Sequence, residues 1–184
     1  MRTTVLVIWG VLGMIGCGAA TVIESRRAPD LTETLNEVFV ISQVGSRGEL
    51  DTPGFEKALL ETGRECGIRI GISSASRLEL DPSVHEERMK AFGGSYVLTV
   101  DLIAESLVDD KVKGVYYDAR LYRREPKKIV WRADVHLTRG NVLAGGAGEI
   151  LATDLLRRLS ADAVVKACEK LASPADAMET SLEW

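Results

Sequence analysis

Three consecutive segments carry apolar residues at every second position, and they constrain the fold more than anything else in the chain. Over 96–104 the residues Tyr96, Leu98, Val100 and Leu102 share one face. Over 115–122 the apolar set is Val115, Tyr117, Ala119 and Leu121, and over 129–137 it is Ile129, Trp131, Ala133, Val135 and Leu137. A period of two marks a strand with one buried and one wet face, and three in a row predict an antiparallel meander. Glu125-Pro126-Lys127-Lys128 supplies the turn between the last two. The wet faces then carry Thr99 and Asp101, Tyr116, Asp118, Arg120 and Tyr122, and Arg132, Asp134 and His136.

Upstream, Val38-Phe39-Val40-Ile41 is a short apolar run suited to a buried strand. Asp51 or Thr52 followed by Pro53 is a helix start, Phe55, Leu59 and Leu60 give that helix its stripe, and Gly67 stops it. Ile68, Ile70 and Ile72 alternate as a second strand, and 84–92 reads as a short charged helix ended by Gly93-Gly94. Leu151, Leu155, Leu159, Ala163, Ala167 and Leu171 recur at helical spacing and predict one long final helix over 149–171. The expected fold is therefore α/β of the α+β type: a two-layer mixed sheet in the order β-α-β-α-β-β-β-α, with its helices largely on one face.

The leading residues are an address rather than part of that fold. Arg2 precedes an apolar run from Val5 to Ile15, and small residues follow. This is the order of a secretory signal peptide, and the run is too short for a spanning helix, which needs ~20 apolar residues. Met14-Ile15-Gly16-Cys17 resembles the lipobox of bacterial lipoproteins, with Met14 where that family prefers Leu. The resemblance implies cleavage after Gly16, acylation of Cys17 including palmitate, and a membrane-held chain. Several acyl chains on one cysteine meet the need for more than one anchoring signal. Loss of residues 1–16 leaves 22 basic against 27 acidic side chains, net −5. Such a body gains nothing from anionic headgroups or from the phosphates of a nucleic acid. The domain plan is a signal peptide over 1–16, a lipidated cysteine and tether over 17–37, one α/β domain over 38–171 and a loose tail over 172–184. A tether of that length reaches roughly 60–70 Å when extended.

Phe55-(x3)-Leu59 with a glycine near the helix end, Gly93-Gly94-Ser95-Tyr96-Val97-Leu98, and Lys127-Lys128-Ile129-Val130-Trp131-Arg132-Ala133 carry a further resemblance. Behind a lipobox, this pattern resembles a group of small envelope lipoproteins. The group includes the curli-secretion lipoproteins, the outer-membrane lipoprotein activators of peptidoglycan synthases, and lipoprotein families of unknown function. It implies a place on the periplasmic side of the outer membrane, and Gly18 after the cysteine fits that sorting preference. The chain lacks the additional alternating pairs that a curli-type pore would need.

Chemistry is sparse. His85 and His136 have no ligand-spaced partners in the sequence, and neither a metal nor a cofactor is expected. No Gly-x-Ser-x-Gly elbow is present. Gly145-Gly146-Ala147-Gly148 opens a helix as phosphate loops do, but lacks the Gly-Lys-Ser/Thr ending and reads as a linker. The signs of Asp101, Asp118, Arg120, Arg132 and Asp134 suit a ladder of ion pairs across neighbouring strands better than a catalytic cluster. The candidate partner surface is thus Tyr116, Asp118, Arg120, Tyr122, Arg132 and Asp134, since Tyr and Arg are the residue types that anchor interfaces. Cys66 and Cys168 are either two buried thiols or a disulfide, which an oxidising compartment permits. The functional expectation is a lipid-anchored, non-enzymatic binding or accessory component of an envelope assembly or export system, with a protein partner. A periplasmic enzyme of hydrolase type and an accessory protein that binds a small hydrophobic or lipid ligand are the alternatives.

Overall fold

The computed structural model describes residues 21–45, 52–75, 81, 83–109, 111–138 and 146–171. The segment read as a signal peptide over 1–16, Cys17, Gly145 and the segment read as a tail over 172–184 lie outside the described residues.

Six strands form one sheet: β1 Thr21–Arg27, β2 Glu37–Gln43, β3 Arg69–Ser74, β4 Tyr96–Val108, β5 Lys111–Arg123 and β6 Lys128–Thr138. Their spatial order is β1-β6-β5-β4-β2-β3. The meander β4-β5-β6 is antiparallel as its alternation requires, while β2 runs parallel to both β3 and β4. Among the described residues three α-helices complete the fold, α1 Thr52–Glu65, α2 Ser83–Phe92 and α3 Ala147–Ala161. No helix among the described residues is long and apolar enough to cross a membrane.

The principal core lies between one sheet face and α1 with α3. Val38 and Val40 of β2, Leu98 and Val100 of β4, Tyr117 of β5 and Trp131 of β6 meet Phe55 and Leu59 of α1 and Leu151 and Leu155 of α3. Helix α1 lies so close to β3 that a Cβ at Gly63 would stand 2.4 Å from the Ile70 side chain. Its end is set by Gly67, whose φ of +68° is cheap only for a residue without a Cβ.

The layer plan needs a correction: α2 covers the other face. Its Phe92 ring lies 5.6 Å from Phe39, whose side chain points away from the principal core. The reason is topological. The crossover β2-α1-β3 steps outward along the sheet, whereas β3-α2-β4 steps back across β2. Parallel crossovers are right-handed, so reversing the direction of travel moves the helix to the opposite face. Because α2 spans only β2 and β3, the outer face of β4, β5, β6 and β1 carries no described helix.

Three further expectations change. The stretch read as a tether holds β1, which pairs with β6 from Thr21↔Leu137 to Arg27↔Trp131, and the loop after it buries Leu31 and Leu35. The final helix ends at Ala161 rather than Leu171. Ala163 takes a φ of 54°, and the chain turns back so that Val165 bridges to Leu35 and both valines of Val164-Val165 are buried. Last, Ile129 is exposed and Val130 takes the buried place beside Trp131, because the β5–β6 register shifts between Leu121 and Tyr122.

Cys66 and Cys168, left open by the sequence, are joined by a disulfide with a Cα–Cα distance of 5.2 Å. It ties the end of α1 to the segment that precedes a 3-10 turn over Glu169–Leu171.

Candidate partner-binding surface

The uncovered face is ordered in rows that run across the strands. One row is acidic, with Glu24 of β1 opposite Asp134 of β6, Asp134 opposite Asp118 of β5, and Asp118 opposite Asp101 of β4. The next is basic, Arg26 opposite Arg132 and Arg132 opposite Arg120, and it ends on Thr99. Like charges placed directly opposite repel by a few tenths to about 1 kcal/mol, so the rows hold only through contacts between them.

Asp118 makes most of those contacts. It is 3% exposed on a face that is otherwise wet. Arg132 donates from Nε to Asp118 Oδ1 at 3.0 Å and from Nη2 to Oδ2 at 3.2 Å, a two-pronged clasp. Arg120 donates to Oδ2 from its own strand. Hydrogen bonds to Asp118 and Tyr122 raise the Arg120 pKa, so the guanidinium stays charged. Arg132 also reaches Asp134 at 3.4 Å, a pair with both side chains mostly exposed and so worth little by itself. Asp101, at the end of the acidic row, has its carboxyl raised above the usual range. Burial is the main cause; the Arg120 charge opposes it and the Asp118 charge adds to it.

Beyond the acidic row the rings of Tyr116 and His136 stack face to face, with centroids 4.2 Å apart and planes 3° from parallel. With Glu24, Asp134 and the exposed Ile103 they border a concavity of about 600 Å³. On the other side of the rows, Tyr122 lies with Val97 and Thr99 on the floor of a second concavity of about 500 Å³. Met89 of α2 walls it, and Arg124 and Lys127 stand on its rim.

All six candidate residues therefore occupy one face, but in three different situations. Tyr116 and Asp134 are exposed, and Arg120 and Arg132 present their edges while holding Asp118. Asp118 is beneath them, and Tyr122 faces the groove beside α2. Sequence reasoning missed Ile103. Alternation itself places it on the outer face, where it is an apolar exception, and it stands exposed at the register shift between Leu102 and Ala104. It also missed Glu24 and Arg26, since their strand was read as tether.

The other polar cluster is at the ends of β2 and β3. Ser73 Oγ lies 2.8 Å from His85 Nδ1, and Arg88 donates to the same oxygen at 3.2 Å. Ser73 is 1% exposed. This pairing fastens α2 to β3 and leaves the hydroxyl no open approach, so it does not favour nucleophilic attack on a substrate. Among the described residues no three His, Cys, Asp or Glu side chains converge as a metal site.

No family model matches the chain, and no curated protein matches it. Among solved structures the chain is similar to the PelC dodecamer from Paraburkholderia phytofirmans, at 15% identity and a TM-score of 0.49, covering 81% of this chain and 100% of that one. A second structure of PelC from the same organism, a dodecamer carrying one substitution, gives 16% identity and a TM-score of 0.48 over 74% of this chain and 96% of that one.

Proposed function

We propose that this chain is a lipid-anchored envelope protein that acts without catalysis, binding a protein partner through the outer face of β1, β6, β5 and β4. The observation that carries the reading is that four adjacent strands present built, mutually clamped side chains on a face that no described helix covers. Their arrangement suits an interface. Tyr116, stacked on His136, is a rigid aromatic anchor beside a concavity, and Arg120 and Arg132 are ordered in advance by Asp118, which lowers the entropy lost on binding. The lipobox-like Met14-Ile15-Gly16-Cys17 supports the anchor and the envelope location.

A photo-crosslinking residue placed at Tyr116 or Asp134 in intact cells is expected to give one discrete adduct, absent when the same residue replaces Glu86 on α2. Tyr116→Ala combined with Asp134→Lys then weakens recovery of that partner about tenfold or more, the scale of a lost hot spot. Both substituted side chains are exposed and leave the Asp118 clasp in place. Equal adducts from the open face and from α2, or unchanged recovery, would count against the surface.

A further inference from the structure

The turn between β5 and β6 carries four cations in six residues, Arg123-Arg124-Glu125-Pro126-Lys127-Lys128, and the structure divides them into two pairs. Arg123 and Lys128 lie opposite each other in the ladder, and both reach the Asp30 carboxylate, at 3.9 and 2.8 Å. Arg124 and Lys127 stand instead on the rim of the concavity between α2 and the outer face of β4 and β5. One end of the Arg124 guanidinium is fixed, since Nη1 donates to the Gly94 carbonyl at 3.0 Å, and no carboxylate meets the other end. Lys127 has no ion-pair partner among the described residues, and neither has Glu125 on the same rim. These three side chains leave one positive charge in excess. Beneath them lie a floor of Val97 and Tyr122 and a wall formed by Met89.

We propose that this concavity binds a small carboxylate with a flat apolar or aromatic body, its charge held by Arg124 and Lys127 and its body resting on Tyr122, Val97 and Met89. The site goes beyond the partner-binding reading and does not depend on it. Charge complementarity selects the anion. Two cations that no carboxylate of the chain neutralises attract a negative group, and Glu125 on the same rim disfavours a polyanion. The unoccupied end of the Arg124 guanidinium is planar and presents donors in the geometry of a carboxylate. The lining selects the body: the Tyr122 ring offers an aromatic surface, and the Met89 thioether adapts to flat groups. A volume of about 500 Å³ lies in the range of small-molecule sites, which combine an apolar lining with a few placed polar groups.

The test uses the full chain and three water-soluble probes of one shape, phenylbutyrate, phenylbutanol and phenylbutylamine, with binding followed by ligand-observed NMR. Phenylbutyrate is expected to bind saturably with a dissociation constant of about 1 mM or lower, the scale for a ligand of its size. The alcohol should bind about fivefold more weakly, having lost the charge contact, and the amine more weakly still. Lys127→Glu should weaken phenylbutyrate about fivefold or more and leave the alcohol unchanged. Met89→Trp, which fills the groove, should weaken both. Lys127 is exposed and Met89 half-buried, and an unchanged unfolding midpoint verifies that each variant is folded. Absence of saturation by about 10 mM phenylbutyrate, ten times the expected constant, overturns the site. So does equal binding of the three probes, or binding indifferent to either substitution. None of these outcomes bears on the partner surface, which the crosslinks from Tyr116 and Asp134 read separately.

Discussion

Asp118 and Asp101 are neighbours across the β4–β5 ladder with opposite circumstances. Two guanidiniums close over Asp118, whereas at Asp101 burial outweighs the opposing charge of Arg120. Burial, aided by the Asp118 charge, holds the Asp101 carboxyl above its ordinary range. A folded-state pKa above the unfolded one favours the fold while the group is protonated, and that contribution is lost as pH rises through the raised value. Ionised Asp101 is therefore a cost at neutral pH. Asp101→Asn keeps the size of the side chain and removes the charge, so its unfolding midpoint should exceed that of the wild type at pH 7. The advantage should shrink to nothing near about pH 3, where the wild-type carboxyl is protonated in both states. Thermal unfolding at the two pH values decides it, and a variant no more stable at pH 7 contradicts the argument. The acidic positions of the meander were legible, because alternation placed Asp101, Asp118 and Asp134 on the wet face. What alternation does not encode is the burial of Asp118, which comes from arginines on two strands bending over a third residue.

At the scale of elements, the strands of the meander were legible and β1 was not, for a physical reason. A strand shows itself by apolar residues at every second position, and the inward positions of β1 are Ile23, Ser25 and Arg27. The two polar ones find partners more than 130 residues away. Ser25 donates to the Asp162 carboxylate, and Arg27 donates to the Asp162 carbonyl at 3.1 Å. Trp131 Nε1 donates to the same carboxylate at 2.7 Å. A polar hub thus replaces the apolar stripe, and local sequence carries no sign of it. The early end of α3 belongs to the same hub, since Asp162 follows its last residue, although Ala163, Ala167 and Leu171 continue a helical period. Helix α2 raises a different question, that of its face. It docks where β3 has no side chain, and a Cβ at Gly71 would fall 2.5 Å from the Phe92 ring and 2.7 Å from Phe39. Gly71→Ala should therefore lift α2 and cost about 1–3 kcal/mol, as overpacking does. Amide hydrogen exchange should rise over 83–92 while β4, β5 and β6 stay protected. Uniform protection with no loss of stability would mean that Phe92 repacks freely.

The molecule as a whole is closed by the bridge between Cys66 and Cys168, which spans a separation of 102 residues. The loop it closes contains β3, α2, the meander and α3, so most of the fold lies between its ends. In the chain-entropy account a loop of that length takes about 4–5 kcal/mol from the unfolded state. That figure reaches the whole domain only if the last segment cannot come away alone. Its packing argues that it cannot: Val164, Val165 and Leu171 are buried, Val165 bridges to Leu35, and the Leu35 amide donates to the Val164 carbonyl at 2.8 Å. Undocking the segment would strip Leu35 and the lower core together. The double variant Cys66→Ala/Cys168→Ala should therefore lower the unfolding midpoint by roughly 10–20 °C in a single transition, and a reductant should do the same to the wild type. A mass difference of two hydrogens on reduction verifies the bridge independently. If the variant instead melted in two steps, with an early loss confined to 162–171, the C-terminal segment would be a latch on a body that folds without it.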